Sequence, residues 1–287
     1  MKLALTLQEA LEKARLKLAA AGVSRPRLEA EVLLAWAGGY TRPGLLARPG
    51  EELAPAAAAR FWPAVARRAA GYPLQYLTGR QEFMSLEFKV TPAVLIPRQD
   101  TEVVVEAVLQ RLDPAGSHTI ADCGTGSGAI ALSLAHYLPR AIVYATELSP
   151  AALAIARQNA CNLGLAGRVT FFQGDFLTPL QGLALDALVA NPPYIPTAEL
   201  DELPPEVRAE PRLALDGGAD GLDAYRVLLA GAPQVLKAAG LLALEIGSNQ
   251  GPALLELAAR AGAYREMVVL PDYGGRDRCF LALRREE

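Results

Sequence analysis

The sequence has little of what most side-chain chemistry is built from. Among 287 residues there are 3 cysteines and 2 histidines. Cys123, Cys161 and Cys279 stand far apart, match no metal-ligand spacing and are too few for a disulfide framework. Neither His118 nor His136 has Cys or carboxylate neighbours at ligand spacing. No metal is expected, and a reducing cytoplasm is the expected compartment. No run approaches the roughly 18 to 20 apolar residues that a membrane span requires, so no membrane partner is expected. The start, MKLALTLQEALEKARLKLAAAG, lacks the apolar stretch and cleavage site of a secretory leader. Neither charge dominates: 28 basic against 31 acidic residues leave a net charge of -3. The broad positive field of a generic nucleic-acid binder is missing, and stable nucleic-acid binding is not expected.

What is present is an ordinary globular composition, 52% hydrophobic and 21% charged, in a chain long enough for two domains. Leu7, Leu11, Ala14 and Leu18 recur at helical steps, with Thr6 and Glu9 as a capping box and Gly22 as a stop. A second helix is predicted from Pro26 to about Ala37, closed by Gly38-Gly39, and a third over about Pro55 to Ala70, kinked at Pro63. Residues 1–72 therefore form a helical module. QEFMSLEFKVTPAVLIP then alternates apolar and polar residues as a half-buried hairpin does, and 73–97 is predicted to be a linker carrying it.

Over 98–287, helical and apolar β-rich stretches alternate, which predicts a parallel sheet with crossover helices. Strands are expected at about 118–122, 141–147, 168–173, 185–190 and 241–246. Two more, at about 264–270 and 279–284, are joined only by PDYGGRDR. That is too short for a helical crossover, so they must be antiparallel. Seven strands in this arrangement form an α/β, Rossmann-like methyltransferase architecture.

TIADCGTGSGAIALSLA leads a strand through Asp122 into a turn, Gly124-Thr125-Gly126-Ser127-Gly128, and then into a helix whose backbone N–H groups point at a ligand. Gly124, Gly126 and Ala129 also satisfy the dinucleotide pattern, so this turn alone does not name the cofactor. Glu147 ends the next strand, where an acid accepts from ribose hydroxyls. Asp175 and Phe176 close the third, placed to accept from an adenine amino group and to stack on its ring. Cys123 beside the turn has no basic neighbour to form a thiolate and reads as a packing residue.

The strand LDALVA runs into Asn191-Pro192-Pro193-Tyr194 at its carboxyl end, where ligands bind in open α/β sheets. The Asn191 side-chain oxygen and the Pro192 carbonyl, on a turn stiffened by two prolines, form a convergent acceptor pair suited to a planar NH2 group. An amide nitrogen is a poor nucleophile because its lone pair is delocalised into the carbonyl. Hydrogen bonds from both its N–H groups to such a pair hold it facing a methyl donor and favour its tetrahedral character on attack. Tyr194 offers an aromatic face to substrate or sulfonium. This chemistry needs neither metal nor strong base, and a hydride-transfer enzyme has no use for the acceptor pair.

At this point the chain resembles the PrmC/HemK family, the glutamine-N5 methyltransferases of peptide chain release factors. The matching stretches are IPRQDTE at 96–102, DCGTGSGAIAL at 122–132, ELSPAALAIARQNA at 147–160, NPPYI at 191–195, EPRLALDGGADGLDAYR at 210–226, EIGSNQG at 245–251 and GGRDR at 274–278. NPPY alone is shared with amino-group methyltransferases of DNA or RNA bases. The resemblance implies S-adenosyl-L-methionine as donor, S-adenosyl-L-homocysteine as product, and the GGQ glutamine of class I release factors as acceptor. It implies that the glycine turn holds the methionine part, Glu147 the ribose, Asp175 and Phe176 the adenine, and Asn191 to Tyr194 the substrate glutamine, with the helical module docking the release factor. The family more often has Leu at Cys123, Asp at Glu147, Pro at Gln99 and Trp at Phe176. Residues 195–212, rich in acids, are expected to form a long irregular loop, either a substrate-facing lid or a merely solvated loop, and Arg98 with Asp100 and Glu102 would anchor that loop or the helix that follows.

Overall fold

The computed structural model describes residues 5–286. The described residues up to Gly79, together with Pro204–Ala209, form one compact unit; Arg80–Leu203 and the residues from Glu210 onward form the other.

In the smaller unit, helices α1 (Leu7–Ala20), α2 (Pro26–Gly38), α3 (Arg42–Leu46), α4 (Pro55–Ala69) and α5 (Leu74–Thr78) enclose their own core. The Thr6/Glu9 capping box is present at the start of α1. The buried stripe of α1 is Leu7, Ala10, Ala14 and Leu18, so Ala10 takes the place the sequence assigned to Leu11, which is only half-buried. Pro63 lies inside α4. In this unit the buried Arg68 holds the buried Glu29 at 2.5 Å and the exposed Glu206 at 2.9 Å.

The larger unit opens with the hairpin β1 (Arg80–Phe83) and β2 (Leu86–Lys89). The sequence placed this hairpin in a linker, but Phe83 and Phe88 are buried in the core of the larger unit and tie the hairpin to it. Then follow α6 (Glu102–Leu109), β3 (Thr119–Cys123), α7 (Ala129–Tyr137), β4 (Ile142–Glu147), α8 (Pro150–Asn162), β5 (Val169–Gln173) and β6 (Leu185–Ala190). After α9 (Pro205–Arg208), which belongs to the smaller unit, come α10 (Asp223–Gly231), β7 (Leu236–Glu245), α11 (Gly251–Ala261), β8 (Tyr264–Pro271) and β9 (Asp277–Arg284).

The seven-stranded sheet has the order β5-β4-β3-β6-β7-β9-β8. The first five are parallel, and β9 runs antiparallel to both β7 and β8. Side chains alternate across it. Ile120, Val143, Val189 and Ala243 face the core shared with the hairpin and α6 to α7, while Ala121, Leu188, Leu242 and Phe280 face that of α10 and α11. Both faces are thus covered, as a parallel sheet requires. The chain runs outward from β3 to β5 and then returns to the other side of β3, so the strand order reverses between β3 and β6. The carboxyl ends of these two strands open the crevice where such sheets bind ligands.

Candidate active site

Strand register brings the motifs together. Cys123 pairs with Thr146 on one side and Ala190 on the other, so the next residues of β3 and β6, Gly124 and Asn191, and the last of β4, Glu147, converge at one place. There a cavity of about 370 Å³ is lined by Gly124, Gly126, Glu147, Asp175, Phe176, Asn191 and Pro193, all expected site residues. Besides Gly174, next to Asp175, the residues Pro92 to Leu95, Leu148, Ser149, Ala152, Pro211, Leu213, Ala214 and Asp216 complete it. These were not picked out as individual site residues. Their only signal was membership of longer matching stretches at 147–160 and 210–226, and Pro92 to Leu95 had none.

Of the expected residues, Asp122, Thr125, Ser127, Gly128, Pro192 and Tyr194 do not line this cavity, and the first four support its glycine turn. Asp122 is fully buried; its Oδ2 accepts from the Thr125 hydroxyl at 2.6 Å and from the Ala131 amide at 3.1 Å. It ties the glycine turn to the start of α7. Burial pushes its carboxyl up to about 7, against those two hydrogen bonds. The Ser127 carbonyl accepts from Asn159 Nδ2 at 2.8 Å, and a Cβ on Gly128 would press on Leu132. Gly124, Gly126 and Gly128 all sit at positive φ, at 73°, 55° and 85°, a run that L side chains would strain.

Glu147 is buried, with Oε2 accepting from the Gly126 amide at 2.9 Å and Oε1 from the Ser149 amide at 2.8 Å. Each oxygen retains a lone pair for a further donor. Phe176 adopts φ 33°, held there because its carbonyl accepts from Thr146 Oγ1 at 2.8 Å. Asp175 is exposed beside it. A glycine-lined floor, a carboxylate with free lone pairs and an aromatic face together fit a nucleoside-bearing cofactor.

At the acceptor turn, Asn191 donates from Nδ2 to Thr101 Oγ1 at 3.3 Å. This engages the amino end of its amide and leaves the carbonyl oxygen for a substrate donor. Pro192 is buried and Pro193 half-buried. The Tyr194 carbonyl accepts from Gln250 Nε2 at 3.0 Å. Behind it lies Gly221 at φ 75°, where a Cβ would strike that carbonyl, and a Cβ on Gly217 would come within 2.8 Å of the Tyr194 Cα. Tyr194 lines a second cavity, of about 470 Å³, with Arg278, Glu199, Asp220 and Ser248. Burial first, and the charge of Glu245 second, push its hydroxyl up to about 12, so it stays protonated.

Residues 195–212 do not form the irregular loop expected of them. Thr197–Glu202 and Arg212–Ala214 are short 3-10 turns flanking α9, and a bridge between Ile195 and Asp216 closes the excursion. Pro196, Pro204 and Pro211 stand just before the first turn, α9 and the second turn, and all three elements are too short to show a periodicity. Arg98 does anchor this segment: it binds Glu210 at 2.5 Å, and Glu210 also accepts from the Ile96 amide at 3.3 Å.

A reversed terminal hairpin on a parallel sheet, with a glycine turn and an Asn-Pro-Pro-Tyr turn at its switch point, defines a Rossmann-like methyltransferase. The match of residues 96–202 to the methyltransferase small domain agrees, as does the fold of the 16S rRNA N2 G1207 methyltransferase (RsmC) of Thermus thermophilus, solved with AdoMet and guanosine. That structure superposes with a TM-score of 0.52 at 18% identity, over 72% of this chain and 50% of that one. Residues 9–79 match the PrmC N-terminal domain. The chain is 75% identical to the release factor glutamine methyltransferase of Moorella thermoacetica over 99% of its own length and 100% of that protein's. It is 46% identical to that of Geobacter sulfurreducens over 95% of each. It belongs to the release factor glutamine methyltransferase family.

Proposed function

We propose that this protein transfers a methyl group from S-adenosylmethionine to the side-chain amide nitrogen, N5, of the glutamine in the GGQ motif of class I peptide chain release factors, in support of translation termination. The observation that carries the reading is the acceptor turn at the strand switch point. Asn191 shares the cavity with the glycine turn, Glu147 and Phe176, with its amide nitrogen already engaged by Thr101. The names and full-length similarity of the relatives supply the substrate class.

The chain's own residues bind, orient and desolvate. Glu147 would accept from the ribose hydroxyls of the cofactor, Phe176 would stack on its adenine, and the amides of the glycine turn would receive its methionine carboxylate. When bound, S-adenosylmethionine supplies an electrophilic methyl on a sulfonium. Asn191 Oδ1 and the Pro192 carbonyl accept the two N–H groups of the glutamine amide. They favour the geometry in which its lone pair leaves conjugation as the new N–C bond forms and the C–S bond breaks, after which one N–H proton passes to solvent. Each oriented acceptor contributes on the order of the few kcal/mol measured for single oxyanion-hole donors. Tyr194, held protonated, presents its ring rather than a base.

Mass spectrometry of a candidate release factor, incubated with cofactor and with or without the protein, should find one added methyl on the GGQ glutamine only when the protein is present. Asn191→Ala should abolish transfer while leaving cofactor affinity within about tenfold, or about 1.4 kcal/mol. Label entering DNA or ribosomal RNA in place of the release factor would overturn the substrate assignment.

A further inference from the structure

Behind the acceptor turn, on the side away from the cofactor cavity, lies a carboxylate that the reaction as described does not use. Glu245, the last residue of β7, is 1% exposed, and its Oε2 meets no donor among the described residues. The Thr101 hydroxyl is among the groups that face this carboxyl and favour its charged form. Thr101 is itself buried and accepts in turn from Asn191 Nδ2. Three residues from separate parts of the chain, Glu245, Thr101 and Asn191, thus stand in one line that ends at the substrate acceptor, with the Asn191–Thr101 hydrogen bond as its near link and an unpartnered buried carboxylate oxygen at its far end.

We infer that Glu245 and Thr101 are positioning residues for methyl transfer, acting through Asn191 to fix which end of its amide faces the substrate nitrogen. The inference rests on the acceptor role given to Asn191 above. An amide has a donor end and an acceptor end of nearly equal shape, and a turn alone does not distinguish them. A hydroxyl has one proton. With Glu245 ionised, that proton is committed to the carboxylate, so Thr101 Oγ1 can only accept from Asn191, and Nδ2 must point at it. Oδ1 is then left facing the substrate amide. With Glu245 protonated, the acid can donate to Thr101, whose own proton is free to bond Asn191 Oδ1. The amide can then turn over and present an NH2 group to the substrate NH2, which binds nothing and repels.

The surroundings set when the line is directed. Burial raises the Glu245 carboxyl to about 7; Thr101, Arg278 and Arg98 oppose the rise, and Asp100 adds to it. Tyr194 and Tyr225 face the same charge and remain protonated, as does the buried Cys279 thiol. Arg278 is shared with Asp272 at 3.3 Å and Asp100 at 3.6 Å, and its Nε has no partner among the described residues. Glu245 is therefore the group of this cluster that changes charge near neutrality.

The test uses the full chain with a release factor, both substrates saturating, and kcat read from about pH 5.5 to about pH 8.5. Wild type should lose kcat as pH falls through about 7. Saturating cofactor removes from kcat the effect of Asp122, which ionises in the same range on the cofactor turn. Glu245→Gln and Thr101→Val should lower kcat at the high-pH plateau by roughly tenfold or more and flatten that acid limb, with KM for the release factor and cofactor affinity changed less than about threefold. Thr101→Ser should restore both rate and pH dependence. Should Glu245→Gln not fold, Thr101→Val, which keeps side-chain volume, and the wild-type profile decide. Wild-type kcat at every pH in both variants, with Asn191→Ala inactive, would refute the inference alone. Full activity of Asn191→Ala would instead refute the acceptor reading on which it rests.

Discussion

Phe176 carries its ring on a backbone conformation few residues adopt, at φ 33°. The cost of such a position, on the order of 1 kcal/mol or more, is sustained only where the surroundings over-determine it. Here the Thr146 hydroxyl and the Cys123 thiol both reach its carbonyl. The sequence read Gly174-Asp175-Phe176 as a strand end beside an adenine; it could not show the strain, because nothing local distinguishes this Phe from one in an ordinary turn. Phe176→Ala should weaken S-adenosylmethionine binding by about 1 to 3 kcal/mol, the range for loss of an aromatic stacking face. Calorimetric titration measures this directly, and an unchanged affinity would remove the ring from the adenine subsite. Other site residues divide by the same logic. Glu147 and Asn191 were legible because each follows an apolar strand at a fixed point. Thr101 and Glu245 were not read as parts of the site: each had only its membership of a matching stretch, at 96–102 and 245–251, and a buried polar residue shows its role only when the sheet brings its partners near.

Elements with a clear period were read well and short ones were not. The strands at 185–190 and 264–271 fall within a residue of where alternation placed them, whereas α3, α5 and α9 have five residues or fewer and show no repeat. β7 begins at Leu236, five residues before the expected start, because Lys237, Ala238 and Ala239 are exposed and break the apolar run, with Ala239 at φ 57°. The hairpin turn was equally hidden: Met84 and Ser85 both take positive φ without the usual glycine or asparagine. Glu102 Oε1, accepting from the Met84 amide at 2.7 Å, and the Tyr137 hydroxyl, donating to the Met84 carbonyl at 2.9 Å, hold them. In the helical unit, α4 supplies a buried cation, Arg68, between Glu29 and Glu206. Arg68→Ala leaves Glu29 buried without its partner and should destabilise that unit by about 3 kcal/mol or more. Limited proteolysis should then cleave the helical unit first, with cofactor binding retained; equal loss of both units would contradict the separation.

At the scale of the whole molecule, two buried carboxyls sit where acids seldom do. Asp122 and Glu245 are both raised by burial to about 7, from 3.8 and 4.5. A carboxyl whose folded value lies above its unfolded one contributes stability that is full below the unfolded value and lost as pH rises through the folded one. Their share of stability therefore declines between about pH 4 and about pH 7. Others act in the opposite sense. Glu31, where Arg42 and Arg27 outweigh burial, and Asp186, where Lys237 and the Thr119 amide do, lie below their usual range and lose their contribution as pH falls into acid. Without cofactor, the melting temperature of the wild type should fall from about pH 5.5 to about pH 8, and Asp122→Asn should show a smaller fall. An identical pH dependence would place Asp122 outside this balance. The parallel run of strands and the antiparallel terminal pair were legible in the alternation of strands and helices together with the short 271–278 connection. The division between units was not, because six residues of the smaller one lie far down the chain.

Those six residues, Pro204–Ala209, give the helical unit an unusual history in time. During synthesis its helices emerge first, but Arg68 must wait for Glu206, and Gly71 for the Pro205 ring that packs against it. The unit that begins the chain is finished only after most of the sheet has been made. A fragment ending at Gly79 is consequently an unfinished domain, whose buried arginine keeps one of its two carboxylates.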